Sequence, residues 1–139
     1  MRNLFLAAML LPHVAGAADW VELGTISEAR VLLDKESVEA MGDEVMARLK
    51  YVYSKTQAPQ TISRGSPFDS SVNQYYLVCS SRKYQVLELT VFYKNKSVGS
   101  FHQNPNPNEL EPAKLDSGVM LLIEGVCPGS KRSQAPLAD

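Results

Sequence analysis

The chain has 139 residues, 45% hydrophobic and 21% charged, with 14 basic and 15 acidic side chains and a formal charge of −1. This apolar content is that of a folded domain and excludes a disordered chain. The even charge excludes the strongly basic field of a nucleic-acid binder.

The opening segment, MRNLFLAAMLLPHVAGA, has the layout of a secretory signal peptide. Arg2 is the charged start, Leu4 to Leu11 the apolar core, Pro12 its end, and Ala15-Gly16-Ala17 the small-x-small cleavage pattern. An apolar run this short cannot cross about 30 Å of hydrocarbon, which needs roughly 20 residues. A lipid anchor would need a cysteine after the cleavage site, where Ala17 and Ala18 stand. The expected organisation is a signal peptide over 1–17, one domain over 18–129 and a disordered polar tail over 130–139. The expected mature chain has no membrane span and no lipid anchor.

Along that domain, Trp20 to Leu23 alternates apolar and polar residues and predicts a first strand, with a turn over Gly24 to Ser27. Arg30 to Asp34 predicts a second strand. Lys35 to Gly42 reads as a turn-rich connection in which Ser37 could cap one helical turn. Glu44 to Ser54 is the clearest strand: Val45, Ala47, Leu49, Tyr51 and Tyr53 share one face. Thr56 to Ser70, with Pro59, Gly65 and Pro67, predicts a long loop.

Val72 to Ser80 alternates again, placing Tyr75, Leu77 and Cys79 on one side and Gln74, Tyr76 and Val78 on the other. Ser81-Arg82-Lys83 predicts a hairpin tip. The returning strand, Tyr84 to Tyr93, puts Leu87, Leu89, Val91 and Tyr93 on one face. After a turn at Lys94 to Lys96, Ser97 to His102 predicts the last strand, followed by a Pro-rich connector over Asn104 to Asn108. The period then changes. Behind an N-cap at Asp116 or Ser117, Val119, Leu122, Ile123 and Val126 form a helical stripe ending at Cys127 and Pro128-Gly129. Short turns between strands imply antiparallel pairing. The expected fold is α+β: a meandering antiparallel sheet and one C-terminal helix.

Exported chains oxidise, so Cys79 and Cys127, the only two cysteines, are most simply one disulfide; free thiols or an intermolecular bridge are the alternatives. Such a bond would staple the helix to the face carrying Tyr75 and Leu77.

Catalytic chemistry finds little material. His102 is the single histidine of the expected mature chain, too few for a zinc site, and it reads as a surface residue. Carboxylate pairs such as Asp34 with Glu36 or Glu109 with Glu111 fall at loops and strand ends. No phosphate-binding glycine loop is present. Four of the six tyrosines lie on expected core faces. The other two, Tyr76 and Tyr84, stand near Gln74, Arg82 and Lys83 and suggest an aromatic-basic protein-binding patch.

Taken in order, the early tryptophan, Leu32-Leu33-Asp34-Lys35-Glu36-Ser37-Val38, Ser71 to Cys79, Val91-Phe92-Tyr93 and Val126-Cys127 make the chain resemble the surface-adhesin protein E family of Gram-negative bacteria. The resemblance implies a sheet of about six strands with the helix tethered to its concave face by the disulfide. It implies a non-enzymatic protein without cofactor, able to dimerise, that binds host proteins such as vitronectin, laminin or plasminogen. The binding region of the family corresponds to Ser71 to about Phe92, which makes Gln74, Tyr76, Arg82, Lys83 and Tyr84 the candidate contacts. Two departures stand out: no cysteine is available for acylation, and Asn73 and Tyr76 occupy positions that are basic in the adhesin. The expected location is therefore the periplasm or the cell surface. The alternatives are a periplasmic accessory or inhibitor protein, and a small-ligand carrier, for haem for instance, using His102 or an exposed tyrosine between sheet and helix.

Overall fold

A computed structural model describes residues 18–129; the expected signal peptide and polar tail lie outside them. Six antiparallel strands follow one another in chain order across a single sheet: β1 (Trp20–Ile26), β2 (Ala29–Met41), β3 (Glu44–Gln57), β4 (Phe68–Val78), β5 (Lys83–Tyr93) and β6 (Lys96–His102). A short seventh strand, β7 (Glu111–Pro112), pairs with the start of β5, opposite Lys83 and Tyr84. The helix α1 (Gly118–Val126) packs on β1, β2 and β3.

The core is one face of this sheet plus the helix. Val31, Leu49, Leu77, Leu122 and Ile123 are fully buried there, with Tyr51 and Tyr75 beside them. The stripe expected over Val119 to Val126 faces the sheet, with Val119, Leu122 and Ile123 buried. Ser117 is the N-cap: its side chain accepts from the Met120 amide, satisfying one of the free N–H groups at the helix start. Cys127 is the C-cap, and its Sγ is bonded to that of Cys79, with the Cα atoms 5.6 Å apart. The helix therefore lies on the Tyr75–Leu77–Cys79 face, as the alternation implied.

One row of residues crosses this face from edge to edge: Gly24, Val31, Tyr51, Ser71, Val91 and Gly99 are successive partners in the ladder. Both ends are glycine, for different reasons: Gly24 has a φ of 156° beside a register shift in β1, whereas Gly99 lies under another stretch of backbone. Leu121 of α1 lies 3.4 Å from where a Cβ on Gly24 would stand. At Gly99 a Cβ would come within 1.7 Å of the Ile62 carbonyl oxygen. The segment 58–67 between β3 and β4 thus folds back over β6, while the helix covers β1 to β3. Inside that segment, the buried Ser63 hydroxyl donates to the Gln60 carbonyl and accepts from the Gln60 amide.

Three expectations need correction. The connection expected over Lys35 to Gly42 is strand: β2 runs on to Met41 after an irregularity between Asp34 and Glu39. Ser37 caps no helix. Its hydroxyl donates to the Asp34 carbonyl and accepts from the Arg48 amide, so it bridges the interrupted ladder. On β5, the register shifts opposite Gln74 and Tyr75, so that Val86 pairs with Tyr75 and Glu88 with Gln74. The extra residue resets the alternation: Tyr84 and Val86 pack on the helix-side core, together with Leu89 and Val91 farther along that face. Finally, Ser97 to His102 is not the last strand, because β7 follows.

The disulfide closes a separation of 48 residues, for which loop entropy gives roughly 4 kcal/mol. Replacing both cysteines by serine is expected to lower unfolding free energy by about that amount, with helix amides losing hydrogen-exchange protection before sheet amides. Equal urea midpoints for wild type and variant would refute it. Gly99→Ala, which drives a methyl into the backbone at Ile62, is expected to cost roughly 1–3 kcal/mol, seen as a lower melting temperature.

Candidate functional site

The β4–β5 hairpin carries the five candidate contacts. Its tip is held on two sides. Asp43, in the β2–β3 turn, accepts from the Ser80 amide at 2.8 Å and from the Ser80 hydroxyl, and its own carbonyl accepts from the Cys79 amide. On the other side, the Arg82 carbonyl accepts from the Ala113 amide at 2.9 Å, just beyond β7. Arg82 has a φ of 53°, the left-handed conformation that closes the turn. Arg82 and Lys83 are both exposed. The tip therefore presents two cations from a backbone braced by the disulfide, by Asp43 and by β7.

The five side chains do not share one surface. Gln74 and Tyr76 lie on the face away from the helix. Gln74 sits in a polar row between Arg48 and Glu88, which continues to Asp34 and His102. Asp34, buried in that row, is 3.5 Å from the Arg48 guanidinium. Tyr84 lies on the helix side, half-buried, its ring edge-on to Tyr75 at 5.9 Å. Burial raises its pKa, and the neighbouring Glu111 charge raises it further.

Tyr76 faces away from the core yet is only 6% exposed. With Met46 and the connector prolines Pro105 and Pro107, it lines a groove, and its hydroxyl donates to Glu44 at 2.6 Å. That hydrogen bond to a carboxylate, with burial adding to it, pushes its pKa up to about 12. The connector is anchored here by Gln85, a buried polar residue at the partner position of Tyr76. Its side-chain carbonyl accepts from the Asn106 amide at 2.7 Å. Gln103 adds a bond from its side-chain amide to the Val86 carbonyl at 2.6 Å, where the β5 edge lacks a strand partner between β7 and β6. Between β5 and this connector lies a cavity of about 560 Å³, with Tyr84, Gln103 and Glu111 in its walls.

His102 is exposed at the end of β6, opposite Glu88. It does not stand between sheet and helix, because the helix covers the other end of the sheet. Among the described residues, no cluster of three or more His, Cys, Asp or Glu side chains could hold a metal ion, and no helix is long and apolar enough to cross a membrane.

A polar cluster not anticipated from the sequence lies within the core face. The Tyr51 and Tyr75 hydroxyls share a 2.7 Å hydrogen bond, and the Asn73 amide nitrogen donates to Tyr75 at 2.9 Å. Burial is the main cause that raises both tyrosine pKa values, that of Tyr75 to about 12. The alternation had placed these rings in the core. What it could not supply was that β3 and β4 align so that the hydroxyls of Tyr51 and Tyr75 meet.

One protein family accounts for nearly all of the described chain. The family model described as surface-adhesin protein E matches residues 20–128 of this chain. The chain belongs to the surface-adhesin protein E family. No curated protein and no solved structure matches it. Membership supports an adhesin-like, protein-binding role for the chain.

Tyr51, Tyr75 and Tyr76 all have pKa values above the ordinary 10. A group whose folded pKa is raised stabilises the fold fully below its unfolded value, and that stabilisation is lost as pH climbs through the folded value. Stability is therefore expected to hold to about pH 10 and to fall steeply towards pH 12. Tyr76→Phe should cost about 1 kcal/mol at neutral pH and show a shallower alkaline loss. Urea midpoints at pH 8 and pH 11 for both proteins check this; parallel losses would refute the role given to Tyr76.

Proposed function

We propose that the protein is an exported, non-enzymatic binding module that engages a protein partner through the tip of its β4–β5 hairpin. Arg82 and Lys83 make the first electrostatic contact, Tyr84 and the adjoining cavity take a partner side chain, and Gln74 extends the contact along the sheet. Tyr76 contributes by holding the hairpin's outer face to Glu44. The observation that carries this reading is the bracing of an exposed basic tip within a member of an adhesin family: a rigid tip loses little conformational entropy on binding. Host extracellular-matrix or serum proteins, namely vitronectin, laminin and plasminogen, are the partners proposed. The site of action is the cell surface or the periplasm.

Charged tips steer association and make it sensitive to salt, because screening shortens their reach to about 8 Å at physiological ionic strength. Arg82→Ala combined with Lys83→Ala is expected to weaken binding to immobilised vitronectin or laminin about tenfold or more. The same variant should flatten the salt dependence and keep the wild-type melting temperature. Absence of binding by the wild-type protein, or equal binding by the double variant, would overturn the reading.

A further inference from the structure

The outer face of the sheet carries a groove that the hairpin tip does not use. One wall is the end of the β2–β3 pair, where Glu39 stands opposite Met46 and Met41 opposite Glu44. Residues opposite one another in a ladder share a face, so two thioethers and two carboxylates alternate around one patch. The other wall is the connector after β6, through Pro105 and Pro107, and the space between the walls is about 340 Å³. The floor, Val45 and Tyr76, is buried, but the walls are open to solvent: Glu39, Met41, Glu44, Pro105 and Pro107 are exposed and Met46 is half-buried.

Met41 is 70% exposed, more than any other large apolar side chain among the described residues. An unbranched thioether adapts to varied apolar partners, which is why methionine recurs at peptide-binding surfaces. Both walls are preformed. Asp43 ties the β2–β3 turn to Ser80, Gln85 holds the connector at Asn106, and Asn106 caps the turn that starts at Pro107. The groove is also unbalanced in charge, because no basic side chain lines it. The Glu39 carboxylate has no ion-pair or hydrogen-bond partner among the described residues, and Glu44 accepts a neutral hydroxyl, that of Tyr76. Arg48 is turned to Asp34. Lys83 stands two strands from Glu44 in the same row, beyond Val78. Strand spacing puts it roughly 10 Å away, past the screening length of about 8 Å at physiological ionic strength.

We propose that this groove docks a short basic-apolar segment of a protein partner, one in which a lysine or arginine stands beside apolar side chains. The apolar side chains cover Met41, Met46 and the two prolines, and the cation pairs with Glu39 and with the Glu44 oxygen that Tyr76 leaves free. Lysine and arginine suit the site twice over, because their methylene stems lie along apolar surface while the charged head stays at the rim. The two carboxylates repel an acidic segment, and a purely apolar one desolvates them without a counter-charge. Exposed ion pairs each contribute little, so apolar contact supplies the affinity and charge selects the segment. This surface is separate from the hairpin tip, whose cations select the opposite charge, and it does not depend on the partner proposed there.

The test follows methionine methyl signals by NMR on the oxidised protein. Met41 and Met46 report the groove, and Met120, buried under the helix, is the internal reference. The probes are capped pentapeptides alternating leucine with lysine, with glutamine or with glutamate, and lysine amide alone. The lysine peptide is expected to shift Met41 and Met46 saturably and to leave Met120 in place. The glutamine peptide should bind about threefold or more weaker, and the glutamate peptide should leave the groove signals where they are. Glu39→Gln with Glu44→Gln, which keeps an acceptor for Tyr76, should weaken the lysine peptide by about threefold or more. Met41→Ser, which removes apolar contact, should weaken it by about the same factor. Should the double variant fail to fold, Glu39→Gln alone provides the same reading. No shift with the lysine peptide, equal shifts with all three peptides, equal binding by lysine amide alone, or unchanged binding by the folded variants would each overturn the proposal, whatever the hairpin binds.

Discussion

Everything in this fold depends on keeping a nine-residue helix in place. A helix that short has no stability of its own in water, where about 12–15 residues are marginal. It is held by Leu122 and Ile123, which lose all contact with solvent against the sheet, and by the Cys79–Cys127 bond at its C-terminal end. The two act at different places. Apolar burial selects the face, and the covalent bond fixes the position along β4. Gly118 sharpens the seat, since a Cβ there would meet the Tyr51 ring and hydroxyl.

The same bond braces the hairpin. Cys79 leads straight into the turn that carries Arg82 and Lys83, and the adjacent Ser80 is tied to Asp43. Core and tip are thus parts of one rigid arrangement. The connector after β6 completes it from the outside, with Gln85 and Gln103 bonding where a strand partner is missing. Side-chain amides can do this because each carries a donor and an acceptor at a distance from the backbone.

Local chemistry made much of this readable. Alternation over Glu44 to Ser54 located β3 and its buried face, Ser117 located the helix start, and two cysteines located the staple. The parts that escaped are those decided by distant chain. Lys35 to Gly42 contains residues suited to a turn, yet pairing with β3 draws the segment into the sheet, and Ser37 becomes a bridge in the ladder. Tyr84 changes face because of one extra residue in β5, an irregularity with no glycine or proline to announce it. Tyr76 is buried by prolines about thirty residues farther on. Of the candidate site, the exposed cations were legible from composition alone. The division of the other residues between two faces was not, because a bulge is a property of a strand pair and has no signature in either strand alone.

The spacing and number of the sulfurs have a consequence for maturation. Cys127 follows the seven strands of the described residues along the chain, so the bond forms after the strand that leads to its partner has been made. With two thiols in the chain, a single intramolecular pairing exists, and no incorrect bridge within the molecule needs to be undone. The protein requires an electron acceptor to reach its finished state but has no use for an isomerase, and its maturation yield should follow the oxidising capacity of its compartment alone.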